Sequence, residues 1–392
     1  MNILDFLKDN IVCLDGGMGT LLQEKGLMPG EYPEFWNLTH ADVIRQIHRD
    51  YFDAGSNIIN INTFGANPLK FSDSELEKII CAAADNAKYA REESYSQKEK
   101  YIALDIGPCG KLLKPYGDFE FEEAVAAFGK TVEIGCKCGV DLIFIETMND
   151  SLETKAALLA AKEYGNLPVF VSNAYSENGK LMTGASPEAM VALLEGMRAD
   201  AIGVNCSFGP DQTRPVVERL LKCASVPVIL KPNAGLPKSV DGKTVYDVSV
   251  SEFTESVLEM IRMGVRVAGG CCGTTPEYIK AVSDGIANVQ PVPLTNKNLS
   301  CISSYSNAVY FGGSPILIGE RINPTGKKRF RQALMENDTD YILHEGIAQQ
   351  EHGVQVLDVN VGISEIDETE VLKNTVYELQ GVTDLPLQLD TS

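Results

Sequence analysis

Val265-Arg266-Val267-Ala268-Gly269-Gly270-Cys271-Cys272-Gly273 joins a short, mostly apolar run to a glycine turn that carries two adjacent cysteines. The run reads as a β-strand and is the eighth of its kind. The other seven are residues 11–14, 57–62, 101–106, 142–146, 168–172, 201–205 and 227–231. Longer helical stretches separate them, which is the βαβ signature of a parallel sheet. Eight parallel strands close a (β/α)8 TIM barrel, and its usual length of about 250 residues also fits. An open doubly wound sheet would carry fewer strands and a GxGxxG turn after the first. Gly16-Gly17-Met18-Gly19-Thr20, which follows the first run here, does not match that fingerprint. The fold expected for residues 1–290 is therefore α/β, a closed barrel.

The connecting segments support this. Residues 122–140 place Ala124, Ala127, Phe128, Val132 and Ile134 along one helical face. Ser186-Pro187-Glu188 and Thr275-Pro276-Glu277 each set a cap residue before a proline at the first helical position. The second of these directly follows the cysteine pair, so that turn leads into a helix amino terminus, which favours negative charge.

Composition narrows the function. At 392 residues the chain exceeds the usual single-domain size, so two domains are expected. A net charge of -20 excludes a nucleic-acid partner, because phosphate binding needs a basic surface. No run of about 18 apolar residues is present to span a membrane. Residues 1–10 carry Asp5, Lys8 and Asp9 and lack the apolar core of a signal peptide. Ten cysteines in such a chain fit a reducing compartment, so a cytoplasmic location is expected.

Barrel enzymes build their sites at the carboxyl-terminal ends of the strands. The distinctive polar residues fall there: Asp15-Gly16-Gly17, Asn62-Thr63-Phe64, Glu146-Thr147, Asn205-Cys206, Asn233-Ala234-Gly235 and the cysteine pair. Cys206 ends the sixth strand and Cys271-Cys272 the eighth, so the barrel mouth can bring all three thiols together. Three thiols without a fourth ligand suit a zinc site with an open position, and no CxxC pair suggests a closed structural one. His40, His48, His344 and His352 all lie away from the strand ends. Cys13, Cys81, Cys109, Cys136, Cys138, Cys223 and Cys301 read as small packed hydrophobes.

Leu14-Asp15-Gly16-Gly17-Met18-Gly19-Thr20, Asn62-Thr63-Phe64, Gly203-Val204-Asn205-Cys206 and Gly269-Gly270-Cys271-Cys272-Gly273 together resemble the zinc-dependent homocysteine S-methyltransferase family, in order and over residues 1–290. One departure is Ile61, where members often carry threonine before Asn62-Thr63-Phe64. The resemblance implies a methyltransferase whose zinc, held by Cys206, Cys271 and Cys272, binds the sulfur of L-homocysteine. The thiolate is the nucleophile, and a coordinating thiol is deprotonated outright. No further catalytic residue is implied. Glu146 and Asp15 are the acidic residues best placed for the substrate ammonium. Backbone N–H groups over Gly17, Met18 and Gly19 are candidates for its carboxylate, and Asn233 could lend an oxygen to zinc when substrate is absent. A helix-cap role is the bland alternative for Asp15.

Beyond the barrel, residues 291–313 are expected to be a linker rich in Pro, Asn and Ser. Residues 314–392 start a second βα pattern: strands at 316–319, 354–359 and 385–389, with helices near 329–350 and 368–379. Gly319-Glu320-Arg321-Ile322-Asn323-Pro324-Thr325-Gly326, Leu357-Asp358-Val359-Asn360 and Leu389-Asp390-Thr391-Ser392 resemble the pterin-binding barrel that accepts 5-methyltetrahydrofolate. On that resemblance Asp358, Asn360 and Asp390 are pterin-binding residues of an incomplete (β/α)8 barrel. A homocysteine barrel followed by a pterin barrel is similar to the cobalamin-dependent methionine synthases. The expected donor is then methylcobalamin, carried by a domain outside this chain, with 5-methyltetrahydrofolate a partner only of the complete protein. Two alternatives stand beside this: a stand-alone thiol or selenol methyltransferase using betaine or S-methylmethionine, and an inactive zinc-binding fragment.

Overall fold

The computed structural model describes residues 1–240 and 243–391; Ser392, which closes the last quoted string, lies outside them. All eight expected strands are present: Val12–Cys13, Ile58–Asn60, Tyr101–Ile106, Leu142–Met148, Val169–Asn173, Ala201–Asn205, Val228–Lys231 and Val267–Ala268. They form one parallel sheet in chain order, and the eighth strand also pairs with the first through Val12↔Val267 and Cys13↔Ala268. A parallel bridge, Leu14↔Ile58, and a 2.7 Å bond from Asn57 N–H to the Cys13 carbonyl bring the first strand to the second. The ring closes.

Strand alternation fills its interior. Val12, Leu14, Ile58, Tyr101, Ala103, Leu142, Phe144, Phe170, Ala201, Ile229 and Val267 form one buried cluster. Full burial of such a side chain contributes about 1.5–3 kcal/mol. Ile3 and Leu7 of an amino-terminal helix, Ile3–Asp9, join this cluster. The fully buried Arg266 donates to the carbonyls of Leu7, at 3.0 Å, and of Val292, tying that helix and residue 292 to the eighth strand.

The outer helices follow the sequence grammar. Phe121–Lys137 buries Ala124, Ala127, Phe128, Val132 and Ile134. Pro276–Ile286 begins on its proline with Thr275 as cap. One expectation fails: Cys81, on helix Asp73–Glu93, and Cys138, at the carboxyl-terminal cap of Phe121–Lys137, are joined by a disulfide. Their side chains project from facing helices, a proximity that spacing along the chain could not reveal. Cys13, Cys109, Cys136 and Cys223 are free thiols, buried or half-buried, and Cys301 is half-buried.

The chain divides into two compact units, Met1–Thr183 with Leu193–Lys297, and Gly184–Ala192 with Asn298–Ser392. The second holds a three-stranded parallel sheet, Ile318–Ile322, Val356–Val359 and Leu387–Leu389, with the middle strand Val356–Val359. Its core gathers Ile322, Phe330, Leu334, Ile342, Leu357, Val359 and Leu379. Two features differ from expectation. The stretch read as linker carries an antiparallel hairpin, Ser300–Ser303 with Ala308–Phe311. The single helix expected near 329–350 is two, Lys328–Glu336 and Thr339–Glu351. Asn337 breaks it in the left-handed conformation (φ +53°), and the Asp338 side chain then caps the second helix by accepting from Tyr341 N–H.

Candidate functional site

Cys206, Cys271 and Cys272 meet at the carboxyl-terminal end of the barrel. Their three Sγ atoms all lie within 4.8 Å of one another, with Cys206 and Cys272 at 3.5 Å. The loop after the seventh strand fixes both cysteine segments. Cys206 N–H donates to the Lys231 carbonyl at 3.1 Å, and Cys271 N–H to that of Pro232 at 2.8 Å. Asn233 completes the staple: its Oδ1 accepts from Cys272 N–H at 3.1 Å and its Nδ2 donates to the Cys206 carbonyl at 3.4 Å. Gly273 turns the chain at φ +80°, and a Cβ there would strike the Tyr246 ring.

This donor set fits zinc. A tetrahedral ion with Zn–S of about 2.3 Å spaces its sulfurs by roughly 3.8 Å, and the thiols already stand near that spacing. Among the described residues no histidine, aspartate or glutamate joins the cluster. Hydrogen bonds from Cys206 and Cys271, helped by the Lys231 charge, pull the Cys272 thiol down to about 3.

Inward from the thiols, a charged layer crosses the barrel. Lys231, at 3% side-chain exposure, places Nζ 2.9 Å from Glu146 Oε2 and 3.3 Å from Asp15 Oδ1. The second contact is an ion pair without hydrogen-bond geometry. Asp15 Oδ2 accepts from Asn60 N–H at 2.7 Å, and Asn60 Nδ2 donates to Glu146 Oε2 at 3.3 Å. Burial disfavours charge on Lys231, yet Glu146 and Asp15 hold its pKa well above the usual lysine range. Burial outweighs Lys231 at Asp15, pushing that carboxyl up to about 6. Asp105, buried as well, is raised well above the carboxylate range by burial and then by the charge of Glu146.

Backbone strain accompanies the site. Thr147 (φ +60°) and Cys206 (φ +52°) are left-handed without being glycine, a conformation costly for a β-branched residue. Asn205 holds Thr147 there: its Oδ1 accepts from Thr147 N–H and Ser172 Oγ, both at 2.8 Å, and its Nδ2 donates to Thr147 Oγ1 at 2.7 Å. Glu146 is anchored by the residue that follows it.

The structure therefore gathers the three cysteines and Asn233 in one place and ties Asp15 to Glu146 through Lys231. Asp15 does not cap a helix; Gly17 is the cap of Met18–Glu24 and makes no side-chain bond. Gly17 N–H itself is engaged by the Thr274 carbonyl at 3.1 Å, so it is not an open donor as expected, and only Met18 and Gly19 remain of that set. Sequence reasoning missed Lys231, Asn60 and Asp105, and it placed Asn205 at a strand end without giving it a role. Parity was the available signal: Ile229, Ile58 and Ala103 point inward, so Lys231, Asn60 and Asp105, two residues on, do so too. In the second unit, Asn360 Nδ2 donates to Asp390 Oδ2 at 2.9 Å, and Asp358 Oδ1 accepts from Gln388 at 2.8 Å. These polar residues again stand at strand ends.

The family model described as homocysteine S-methyltransferase matches residues 12–286. Methionine synthase of Mycobacterium leprae is 30% identical over 415 aligned positions, covering 100% of this chain and 34% of that protein. The Mycobacterium tuberculosis methionine synthase is also 30% identical, with the same coverage. The chain thus spans about a third of the length of these curated relatives. Among solved structures, the metallated form of the Escherichia coli homocysteine methyltransferase MmuM superposes with a TM-score of 0.60 at 24% identity, covering 72% of this chain and 98% of that one. Its apo form gives 0.58 at 24% identity, covering 71% and 97%. These two show the shared fold.

Proposed function

The chain belongs to the homocysteine S-methyltransferase family, and from that membership we propose that it methylates the thiol of L-homocysteine, giving L-methionine, at a zinc ion held by Cys206, Cys271 and Cys272. The observation that carries this reading is the convergence of three thiols within 4.8 Å of one another, opposite a buried carboxylate layer. When bound, zinc removes the proton of the substrate thiol and keeps the sulfur nucleophilic at neutral pH.

The protein's own groups do the rest. The Asn233 amide holds the Cys206 and Cys272 segments at a fixed separation, so the sulfurs are placed before substrate arrives. Glu146 receives the substrate ammonium, with Asp15 behind it, and Lys231 keeps both carboxylates in place inside the apolar ring. The N–H groups of Met18 and Gly19, in the first turn of Met18–Glu24, face the substrate carboxylate.

The full-length similarity to methionine synthases favours methylcobalamin as donor, presented by a separate domain. In this reading residues 1–290 are the homocysteine module, 291–313 the connection, and 314–392 the first βα units of a pterin barrel. Asp358, Asn360 and Asp390 would there meet 5-methyltetrahydrofolate. The test is methyl transfer from free methylcobalamin to homocysteine by the zinc-loaded chain. Product should form in proportion to zinc content and vanish in Cys272→Ala, while Cys136→Ala keeps both metal and turnover. Equal zinc retention in the two variants would remove the basis for the assignment.

A further inference from the structure

Asn233 staples the Cys206 and Cys272 segments, but the backbone of Cys271 is held from elsewhere. Its carbonyl accepts twice from Thr274, from Oγ1 at 2.7 Å and from the N–H at 3.2 Å. Thr274 is fully buried, and its own carbonyl also accepts from two donors: Gly17 N–H at 3.1 Å and the Tyr51 hydroxyl at 3.2 Å. Tyr51, equally buried, projects from helix Ala41–Asp53. Gly270 N–H donates to the Asp15 carbonyl at 3.0 Å, so the loop after the first strand and the cysteine turn lie backbone against backbone beside Thr274. The approach is close enough to require glycine. A Cβ at Gly16 would lie 2.7 Å from Thr274 Oγ1 and 2.9 Å from the Tyr51 oxygen, and one at Gly270 would strike the Thr274 side chain.

Burying a phenol hydroxyl is costly, and phenylalanine would fill the same space without it. Here the hydroxyl is directed at the residue that grips Cys271. Metal sites bind tightly when their ligands stand in place beforehand, and the groups behind the ligands set that placement. We propose that Tyr51 and Thr274 are positioning residues of the metal centre. The Tyr51 hydroxyl fixes Thr274, and Thr274 fixes the Cys271 backbone so that its sulfur stands beside those of Cys206 and Cys272. This rests on the zinc reading given above and adds a brace, reaching in from an outer helix, for one of the three ligands. Each of the two carbonyls keeps a second donor, so removing either hydroxyl leaves neither acceptor unpaired. The fold should therefore tolerate the change, and the loss should fall on the metal.

Competition with a chromophoric chelator measures the zinc affinity of the full chain, and the absorption of the cobalt(II)-substituted protein reports the geometry of its thiolates. Tyr51→Phe and Thr274→Val should each weaken zinc binding about tenfold, the scale of losing an outer partner of a metal ligand, and should shift the cobalt–thiolate bands. Thr274→Ser keeps the hydroxyl and should match the wild type in both readouts. The metal-free melting temperature should stay close to that of the wild type in all three. Wild-type zinc affinity in Tyr51→Phe or in Thr274→Val would overturn the proposal, whatever happened to the melting temperature. Equal losses in Thr274→Ser and Thr274→Val would trace the effect to packing instead of the hydroxyl, and would overturn it as well. If Thr274→Val does not fold, Tyr51→Phe decides alone. A wild-type chain that bound no zinc would overturn the functional reading itself.

Discussion

Glu146 lies near the end of strand Leu142–Met148 and is 6% exposed, and its Oε2 accepts from both Lys231 and Asn60. A glutamine there keeps one oxygen for Lys231 but loses the charge that would meet an ammonium. Glu146→Gln should therefore retain one zinc per chain while weakening homocysteine by about 1.5–3 kcal/mol, tenfold or more. Titration calorimetry beside elemental analysis reads both quantities. Loss of zinc in this variant would show that Glu146 supports the metal segment instead. The variant should also melt lower, because Lys231 keeps only Asp15 as an ionised partner in a dry interior. At this scale the sequence disclosed the residues that interrupt a pattern: Cys206, Cys271-Cys272, Asp15 and Glu146 all follow apolar runs. Lys231 and Asp105 were harder to see because each sits inside its run, where only the alternation of faces exposes it. The Cys81–Cys138 bond was invisible, since nothing local pairs two helices.

At the scale of elements, the eight strands were legible because a parallel barrel buries both faces of each strand and so writes continuous β-branched runs. Their ends differ from expectation by at most a few residues. The break at Asn337 was not legible, because an asparagine inside a helical pattern is tolerated unless it turns left-handed. The most instructive element is the irregular end of Leu142–Met148, where pairing with the next strand shifts between Ile145 and Met148. Asn205 carries that irregularity through three hydrogen bonds, two of them to Thr147. Asn205→Ala should destabilise the barrel by about 1–3 kcal/mol for each buried group left unsatisfied, as a drop in the urea midpoint. Adding Thr147→Gly should recover part of that loss, since glycine takes φ near +60° without strain. If the double variant is no more stable than Asn205→Ala, the left-handed turn is not where the energy is stored.

For the whole molecule, the three clustered thiols and the charged layer all belong to the unit built from Met1–Thr183 and Leu193–Lys297. Residues 293–300 are exposed throughout. The amide of Lys297 makes one exposed bond, to Ser225 Oγ at 3.0 Å. Exposed segments of this kind are where proteases cut first. Trypsin should therefore cleave the native chain early after Lys297, and mass spectrometry should find a persistent product of residues 1–297. That product carries every group assigned to zinc and homocysteine, so it should keep one zinc and methylate homocysteine from free methylcobalamin. Its stability should still be lower than that of the intact chain. Residues Gly184–Ala192 cluster with the carboxyl-terminal unit, and Ser186 N–H donates to the Ser306 carbonyl at 2.9 Å. A cut followed by release of the tail leaves that donor with water alone and frees the start of helix Pro187–Gly196. Melting should thus begin a few degrees earlier, on the order of 2–4 °C per kcal/mol lost in a unit of this size, without loss of metal. Activity that disappeared on cleavage while zinc stayed bound would mean that residues 298–392 complete the homocysteine site, and the assignment of a self-sufficient barrel would be wrong.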